Sequence, residues 1–294
     1  MKSLTLKAYA KINLHLDVVS KSDNGYHGVN TVMQSVSLSD NVRVSFCDGE
    51  GIFLSCNLPT LPCDERNLAY RAARLFLDKM GREQGVSIEI EKNIPMAAGL
   101  AGGSTDAAAV LYALNELFSH PLSSEELLSL GAKLGADVPF CIVGGTKFAD
   151  GFGEKLHDFP NMPSCYIVVA CAGEGVSTPW AYSELDRKYR NFEDGAYQPK
   201  NIDKLRLSLE KKDIADISAS IFNLFEGVIS AERPMVNEIR TALLENGALA
   251  SMMSGSGPSV FGIFESEEFA VSAAKILADK NIPSFVCEPI GERF

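Results

Sequence analysis

Between Pro95 and Leu114 the chain reads PMAAGLAGGSTDAAAVLYAL, and no other stretch restricts the fold so tightly. Gly99, Gly102 and Gly103 permit positive φ and close backbone approach, and Ser104, Thr105 and Asp106 are residue types that cap helices. The alanine-rich run beyond them is helical in pattern through Phe118. A loop that feeds a helix N-terminus presents unpaired N–H groups and about half a positive charge, a ready place for phosphate. The hydroxyls of Ser104 and Thr105 can add hydrogen bonds or ligate a metal beside a nucleotide. The stretch is not a Walker A loop, since no G-K-[ST] follows, and its spacing is not G-x-G-x-x-G. A tight, well-capped strand-to-helix turn accounts for the same residues without a ligand. The length of the cluster, with Ala97, Ala98 and Ala101 between the glycines, favours phosphate.

Around this loop the chain predicts an α+β protein of two domains, since 294 residues can bury two cores. Residues 4–19 alternate as a strand, with Leu4, Leu6 and Ala8 and then Ile12, Leu14, Leu16 and Val18 on one face. The turn-rich SKSDNGYHG follows, with Asn24-Gly25 as a hairpin dipeptide, and Val36–Leu38, Val42–Phe46 and Ile52–Leu54 read as short strands divided by SDN and DGEG. Helices are predicted over Asn67–Lys79, Ser104–Phe118 and Ser123–Leu134, the last with a Ser123/Glu126 capping box, and GVSIEIE reads as a strand. Pro160 and Pro163 mark the boundary, giving domains 1–160 and 161–294. The second has strands at SCYIVVACA, LASMM, SVFGIF and SFVCEP, with helix patterns at 179–189, 201–231, 233–246 and 266–279, a split βαβ or ferredoxin-like arrangement.

Composition narrows function. A net charge of −11 argues against a nucleic-acid or membrane-surface binder, so an anionic ligand has to be held by local backbone donors. No apolar run approaches the ~18 residues of a membrane helix, and Lys11, His15 and Asp17 interrupt any signal-peptide core, which points to the cytoplasm. Seven cysteines without a C-x-x-C pair read as reduced, mostly buried thiols, Cys141 in PFCIV and Cys165 and Cys171 in SCYIVVACA lying in strand-like runs.

Two charged residues stand in apolar surroundings. GADVPF puts Asp137 between a helix pattern and an apolar strand, either as a turn cap before Pro139 or as a partly buried general base. Lys11, inside the first strand, is either a snorkelling edge lysine or a functional cation. A second glycine-serine turn, MMSGSGPSVFG at 252–262, is a hairpin loop or a set of backbone donors.

Taken together, the A-K-I-N-L strand, the P-x-x-x-G-L-x-G-G-S-[ST] loop, G-A-D-V-P and M-S-G-S-G-P resemble the GHMP kinases over the whole chain, in order. AYAKINLHLDVVSKSDNGYHGVNTVMQSV is similar to the branch that acts on a cytidine-diphosphate-linked methylerythritol. The resemblance implies a two-domain GHMP kinase fold with the active site between domains, a β-rich N-terminal domain that also carries helices, and phosphoryl transfer from ATP with Mg2+. It makes Asp137 the expected base or hydroxyl-orienting carboxylate and Lys11 the cation that favours the developing alkoxide. Pro95, Met96, Ala97, Ala98, Gly99, Leu100, Ala101, Gly102, Gly103, Ser104 and Thr105 become the expected triphosphate cradle.

For the cytidine end the resemblance implies Tyr26 as a stacking face, with His27 and Asn13 as donors and acceptors for the base edge. In GVSTPWAYSEL it aligns Tyr182 with a second stacking ring and Thr178 with a polar contact, Trp180 being near enough to take the ring's place. Turn chemistry at 26–27 and a helix-starting Thr-Pro at 178–179 explain these residues without a ligand. Asp106 either caps the helix or holds magnesium through water, and the cap is favoured. The alternatives are a GHMP kinase for mevalonate or homoserine, or a non-catalytic nucleotide-binding protein on the same fold. The protein is expected to be a monomer or weak homodimer.

Overall fold

The computed structural model describes residues 2–23, 25–189, 192 and 197–291, so Asn24 of the expected hairpin dipeptide lies outside the described residues. Strands β1 (Ser3–Lys21) and β2 (His27–Cys47) form a long antiparallel pair, from Ser3 opposite Ser45 to Lys21 opposite His27. Then come β3 (Ile52–Cys56), α1 (Leu68–Met80), β4 (Gly85–Glu91), α2 (Gly102–Leu117), α3 (Ser124–Leu134), α4 (Asp137–Val143), β5 (Thr146–Asp150) and β6 (Lys155–Asp158). The second half holds β7 (Tyr166–Ala170), α5 (Thr178–Tyr189), α6 (Asp203–Lys211), α7 (Ile214–Ser218), β8 (Phe222–Asn223), α8 (Glu226–Glu232), α9 (Pro234–Glu245), β9 (Ala250–Met253), β10 (Val260–Phe264), α10 (Glu267–Asp279) and β11 (Ser284–Cys287).

One sheet runs β3-β4-β2-β1-β8, with β5 on β2 and β6 on β5. The other is antiparallel in the order β11-β7-β10-β9, which with α10 between β10 and β11 and helices between β7 and β9 is the expected split βαβ arrangement. The halves interlock, because β8 pairs in parallel with β1 at His15 and Leu16.

Local chemistry explains where helices begin. Asn67 accepts from the Ala69 N–H at 2.9 Å to open α1, which ends at left-handed Gly81 after burying Ala69, Ala72, Ala73, Phe76 and Leu77. Ser123 and Glu126 form the expected capping box of α3. One core lies between α1–α4 and the first sheet, and a second lies around the helices of the second half. Between the sheets a third joins Ala10, Ile12 and Leu14 to Ile167, Val169, Phe261 and Ile263. Strand β1 is therefore buried on both faces along its middle, and its polar residues Lys11, Asn13, His15 and Asp17 are buried too.

Four expectations are corrected. Val36–Leu38 and Val42–Phe46 belong to one strand, since Ser39, Asp40 and Asn41 pair with Tyr9, Ala8 and Lys7, and Asp40 points inward to Lys92 instead of turning the chain. PFCIV is helix α4 and not a strand, because Pro139 falls in a first turn, where it removes no needed N–H. The 201–231 pattern is broken at left-handed Lys212 and again by β8, Asp213 capping α7 by accepting from Asp216 N–H. Helix α2 starts at Gly102, with left-handed Ala101 as N-cap and no side-chain cap.

Candidate active site

A cleft of about 840 Å³ opens where β1, β2, the glycine loop, the start of α4, the start of α5 and the 255–257 turn meet. Lys11 is only 4% exposed, so it is no snorkelling edge residue. Its ammonium donates to Asn13 Oδ1 at 2.8 Å and lies 3.9 Å from Asp137 Oδ2. Asn13 donates from Nδ2 to Thr31 Oγ1 at 2.8 Å, and the Thr31 hydroxyl donates to the His15 carbonyl at 2.8 Å. This relay ties the lysine to both long strands. The Asp137 side chain is 40% exposed, in the first turn of α4 facing the cleft. A carboxylate open to substrate beside a fixed, desolvated ammonium can accept an alcohol proton while the cation favours the alkoxide.

At one end stands the loop. Ala97 (φ 52°), Gly99 (φ 78°) and Ala101 (φ 57°) are all left-handed, a conformation that costs alanine about 1–2 kcal/mol at each position. The second glycine-serine turn braces them. Ser254 Oγ donates to the Gly99 carbonyl at 3.0 Å, and Ser259 N–H to the Ala98 carbonyl at 3.2 Å. A Cβ on Gly99 would lie well inside contact with the Ser254 carbonyl oxygen, so only glycine fits. The Lys11 N–H donates to the Leu100 carbonyl at 3.2 Å, joining loop and strand. The first helical bond of α2 is Thr105 N–H to Ala101 carbonyl, which leaves the N–H groups of Gly102, Gly103 and Ser104 ahead of it for a ligand.

Ala97, Ala98, Gly99, Ala101, Gly102, Gly103 and Ser104 line the cleft, whereas Pro95, Met96, Leu100 and Thr105 do not. Leu100 packs into the core between the sheets. Thr105 is buried and donates its hydroxyl to the Tyr9 carbonyl at 2.8 Å, so it is withdrawn from the expected cradle. Asp106 is no cap either; it is buried and paired with Lys92 at 2.8 Å.

At the other end aromatic rings gather. Tyr182 and Thr178, on α5, line the cleft with Tyr26 and His27, while Trp180 packs against the second core and is absent from the lining. His27 and Tyr182 stack, centroids 4.6 Å apart and planes at 23°, so His27 covers one face of that ring. Tyr26 is 64% exposed and packs against Phe152 at 5.4 Å. Thr178 shares a 3.2 Å hydrogen bond with Ser256. Sequence reasoning missed Asp186, one turn beyond Tyr182, which holds His27 Nε2 at 2.7 Å and Lys21 Nζ at 2.6 Å. An acidic residue four places after an aligned ring, on the same helix face, was the available signal. Burial pushes the Asp186 carboxyl up, but the bonds from Lys21 and His27 outweigh it and leave it below the ordinary carboxylate value. Burial, aided by the Asp137 charge, pushes the Tyr182 phenol up to about 12, so it stays neutral.

Among the described residues no group of three or more His, Cys, Asp or Glu side chains can hold a metal, and no helix is long and apolar enough to cross a membrane. None of the seven cysteines forms a disulfide. Only Cys141, Cys165 and Cys287 are buried, with Cys63 exposed, which corrects the expectation of mostly buried thiols.

Residues 67–145 match the GHMP kinases N terminal domain and residues 205–282 the GHMP kinases C terminal family. A 4-diphosphocytidyl-2-C-methyl-D-erythritol kinase of Acetivibrio thermocellus is 43% identical over 99% of this chain and 100% of its own. A solved 4-(cytidine 5'-diphospho)-2C-methyl-D-erythritol kinase superposes with a TM-score of 0.83 at 32% identity, covering 98% of this chain and 100% of that one. A homoserine kinase from Cytophaga hutchinsonii superposes at 0.75 with 22% identity over 100% of this chain and 96% of that one, a likeness of fold alone.

Proposed function

The chain belongs to the GHMP kinases, and we propose that it transfers the γ-phosphoryl group of ATP to the C2 hydroxyl of 4-diphosphocytidyl-2-C-methyl-D-erythritol, a step in isoprenoid precursor synthesis. One observation carries this reading: Lys11 and Asp137 meet in a cleft with a phosphate-type helix N-terminus at one end and stacked His27 and Tyr182 at the other. The triphosphate lies against the N–H groups of Gly102, Gly103 and Ser104. Asp137 accepts the proton of the alcohol as its oxygen bonds to the γ-phosphorus, and the bond from that phosphorus to the leaving ADP oxygen breaks. Lys11 stabilises the negative charge on the attacking oxygen. Magnesium, when bound, neutralises charge between the phosphates. Ser104 lines the cleft, so its hydroxyl would hold the ion, with phosphate oxygens and water completing the shell.

At the cytidine end Tyr26 and Tyr182 supply ring faces, His27 and Asn13 the base-edge contacts and Thr178 a polar contact. Asn13 already serves Lys11 and Thr31, and keeps one amide hydrogen and one oxygen lone pair for substrate. We divide the chain at 160/161, a reading supported by the second sheet beginning at Tyr166, and take it to act in the cytoplasm as a monomer or weak homodimer. An ATPase-coupled panel of the cytidylyl alcohol, mevalonate and homoserine tests the assignment. Turnover of the cytidylyl alcohol is expected to exceed the others, and preference for either other alcohol overturns it.

A further inference from the structure

Beneath the glycine loop lies a charged cluster that no step of the reaction uses. Lys92 follows β4, Asp40 lies within β2 and Asp106 begins the second turn of α2, and their side chains are at most 3% exposed. The Lys92 ammonium donates to Asp106 Oδ2 at 2.8 Å and to Asp40 Oδ2. Asp40 Oδ1 accepts the Asn93 and Ile94 N–H groups at 2.6 and 2.8 Å, whereas the buried Asp106 Oδ1 has no hydrogen-bond partner. A Cβ on Gly102 would stand 3.1 Å from Lys92 Nζ, so the ammonium passes directly under the start of α2.

Lys92 precedes the loop and Asp106 follows it, so their ion pair closes the loop at its base. Asp40 pins that closure to β2, which pairs with the strand carrying Lys11. Stability alone explains such a cluster poorly, since apolar replacements of a buried ion pair are often neutral or favourable. A loop with left-handed Ala97 and Ala101 needs surroundings that over-determine its shape. Resting on the kinase reading above, we propose that Lys92, bridging Asp40 and Asp106, is the positioning residue that holds the phosphate loop in its ATP-ready form before nucleotide arrives.

Asp106→Ala tests this, because it leaves Lys92 and Asp40 as a balanced pair and so keeps the fold; Asp106→Asn retains an oxygen acceptor for Lys92. Calorimetry would give the affinity of a non-hydrolysable ATP analogue with magnesium and, separately, of the cytidylyl alcohol, with amide exchange followed over residues 95–105 and Tm recorded. Asp106→Ala is expected to weaken the analogue by roughly tenfold or more, with the alcohol within about twofold, faster loop exchange, and Asp106→Asn within about threefold of wild type. Unchanged analogue affinity in Asp106→Ala overturns the proposal, as does an equal loss for both ligands with a fallen Tm, which would mark the cluster as merely structural. A wild type that binds no ATP analogue overturns the kinase reading itself, and the proposal with it.

Discussion

The two ends of the cleft are built by opposite means. The loop end uses backbone: it runs from Ala97 to Ser104 with Leu100 packed into the core, the side chains lining the cleft are hydrogens, methyls and one hydroxyl, and its shape comes from left-handed φ angles braced by Ser254 and Ser259. The aromatic end uses side chains drawn from Tyr26 and His27 on one long hairpin and from Tyr182 and Asp186 on α5. Backbone recognition suits a phosphate, which asks only for N–H groups and a dipole, whereas choosing one base needs donors, acceptors and ring faces in fixed places. The first is vulnerable to a Cβ added at Gly99 and the second to loss of a single polar partner.

The strongest test addresses the point where the ends meet. Asp137→Asn should lower kcat by at least ~10² while ATP affinity stays near wild type, as for a positioned acid-base group; single-turnover kinetics with nucleotide titration would show it, and unchanged kcat removes Asp137 from the chemistry. Next, Gly99→Ala attacks the backbone end alone. The clash with Ser254 and the left-handed φ should cost roughly 2 kcal/mol of stability and raise KM for ATP more than KM for the alcohol. A normal melt with normal kinetics would mean the two glycine turns can separate without consequence. Asp186→Leu attacks the side-chain end, freeing His27 and Lys21; KM for the cytidylyl alcohol is expected to rise about tenfold with ATP unaffected. If both Michaelis constants rise together, the distinction between the ends fails.

The smallest effect is a pair of opposed pH slopes. Burial, and then the Asp40 charge, push the Asp106 carboxyl above its ordinary 3.8 against the pull of Lys92. The folded state therefore binds this proton more tightly than the unfolded chain does, and stability from this group falls as pH rises above 3.8. His15, further along β1 toward the aromatic end, goes the other way, burial pushing it from 6.5 down to about 4. Here the unfolded chain takes the proton, so stability rises with pH between about 4 and 6.5. Thermal melts across this range should become steeper with pH in Asp106→Asn and flatter in His15→Gln; identical slopes in both would show that neither group titrates on unfolding.

What could be read from sequence follows the same division. The loop, α2 and the capping box of α3 were visible because each is fixed by neighbours in the chain, and the four strands of the second sheet were visible as apolar runs, though not their order. Asp40, Asp106 and Thr105 were misread because a polar residue in a turn-like or cap-like context looks alike whether it faces water or a distant lysine or carbonyl. Their partners sit on other elements, and no local pattern names them. Lys11 and Asp137 were found by motif, but their 3.9 Å approach depends on α2, which packs against both α4 and β1, and Asp186 was overlooked because its partners lie at 21 and 27.

Strand β1 has a consequence for how the molecule comes into being. It is made before every other described strand, yet its partner β8 and the β10 residues that share a core with Ile12 and Leu14 come much later in the chain. Until then its middle, with Lys11 and Asn13, has only one side protected. The cleft thus depends on pairings of high sequence separation, which form slowly. A nascent chain released before Phe222 would carry the whole glycine loop, Lys11 and Asp137, and still lack the second wall of the cleft.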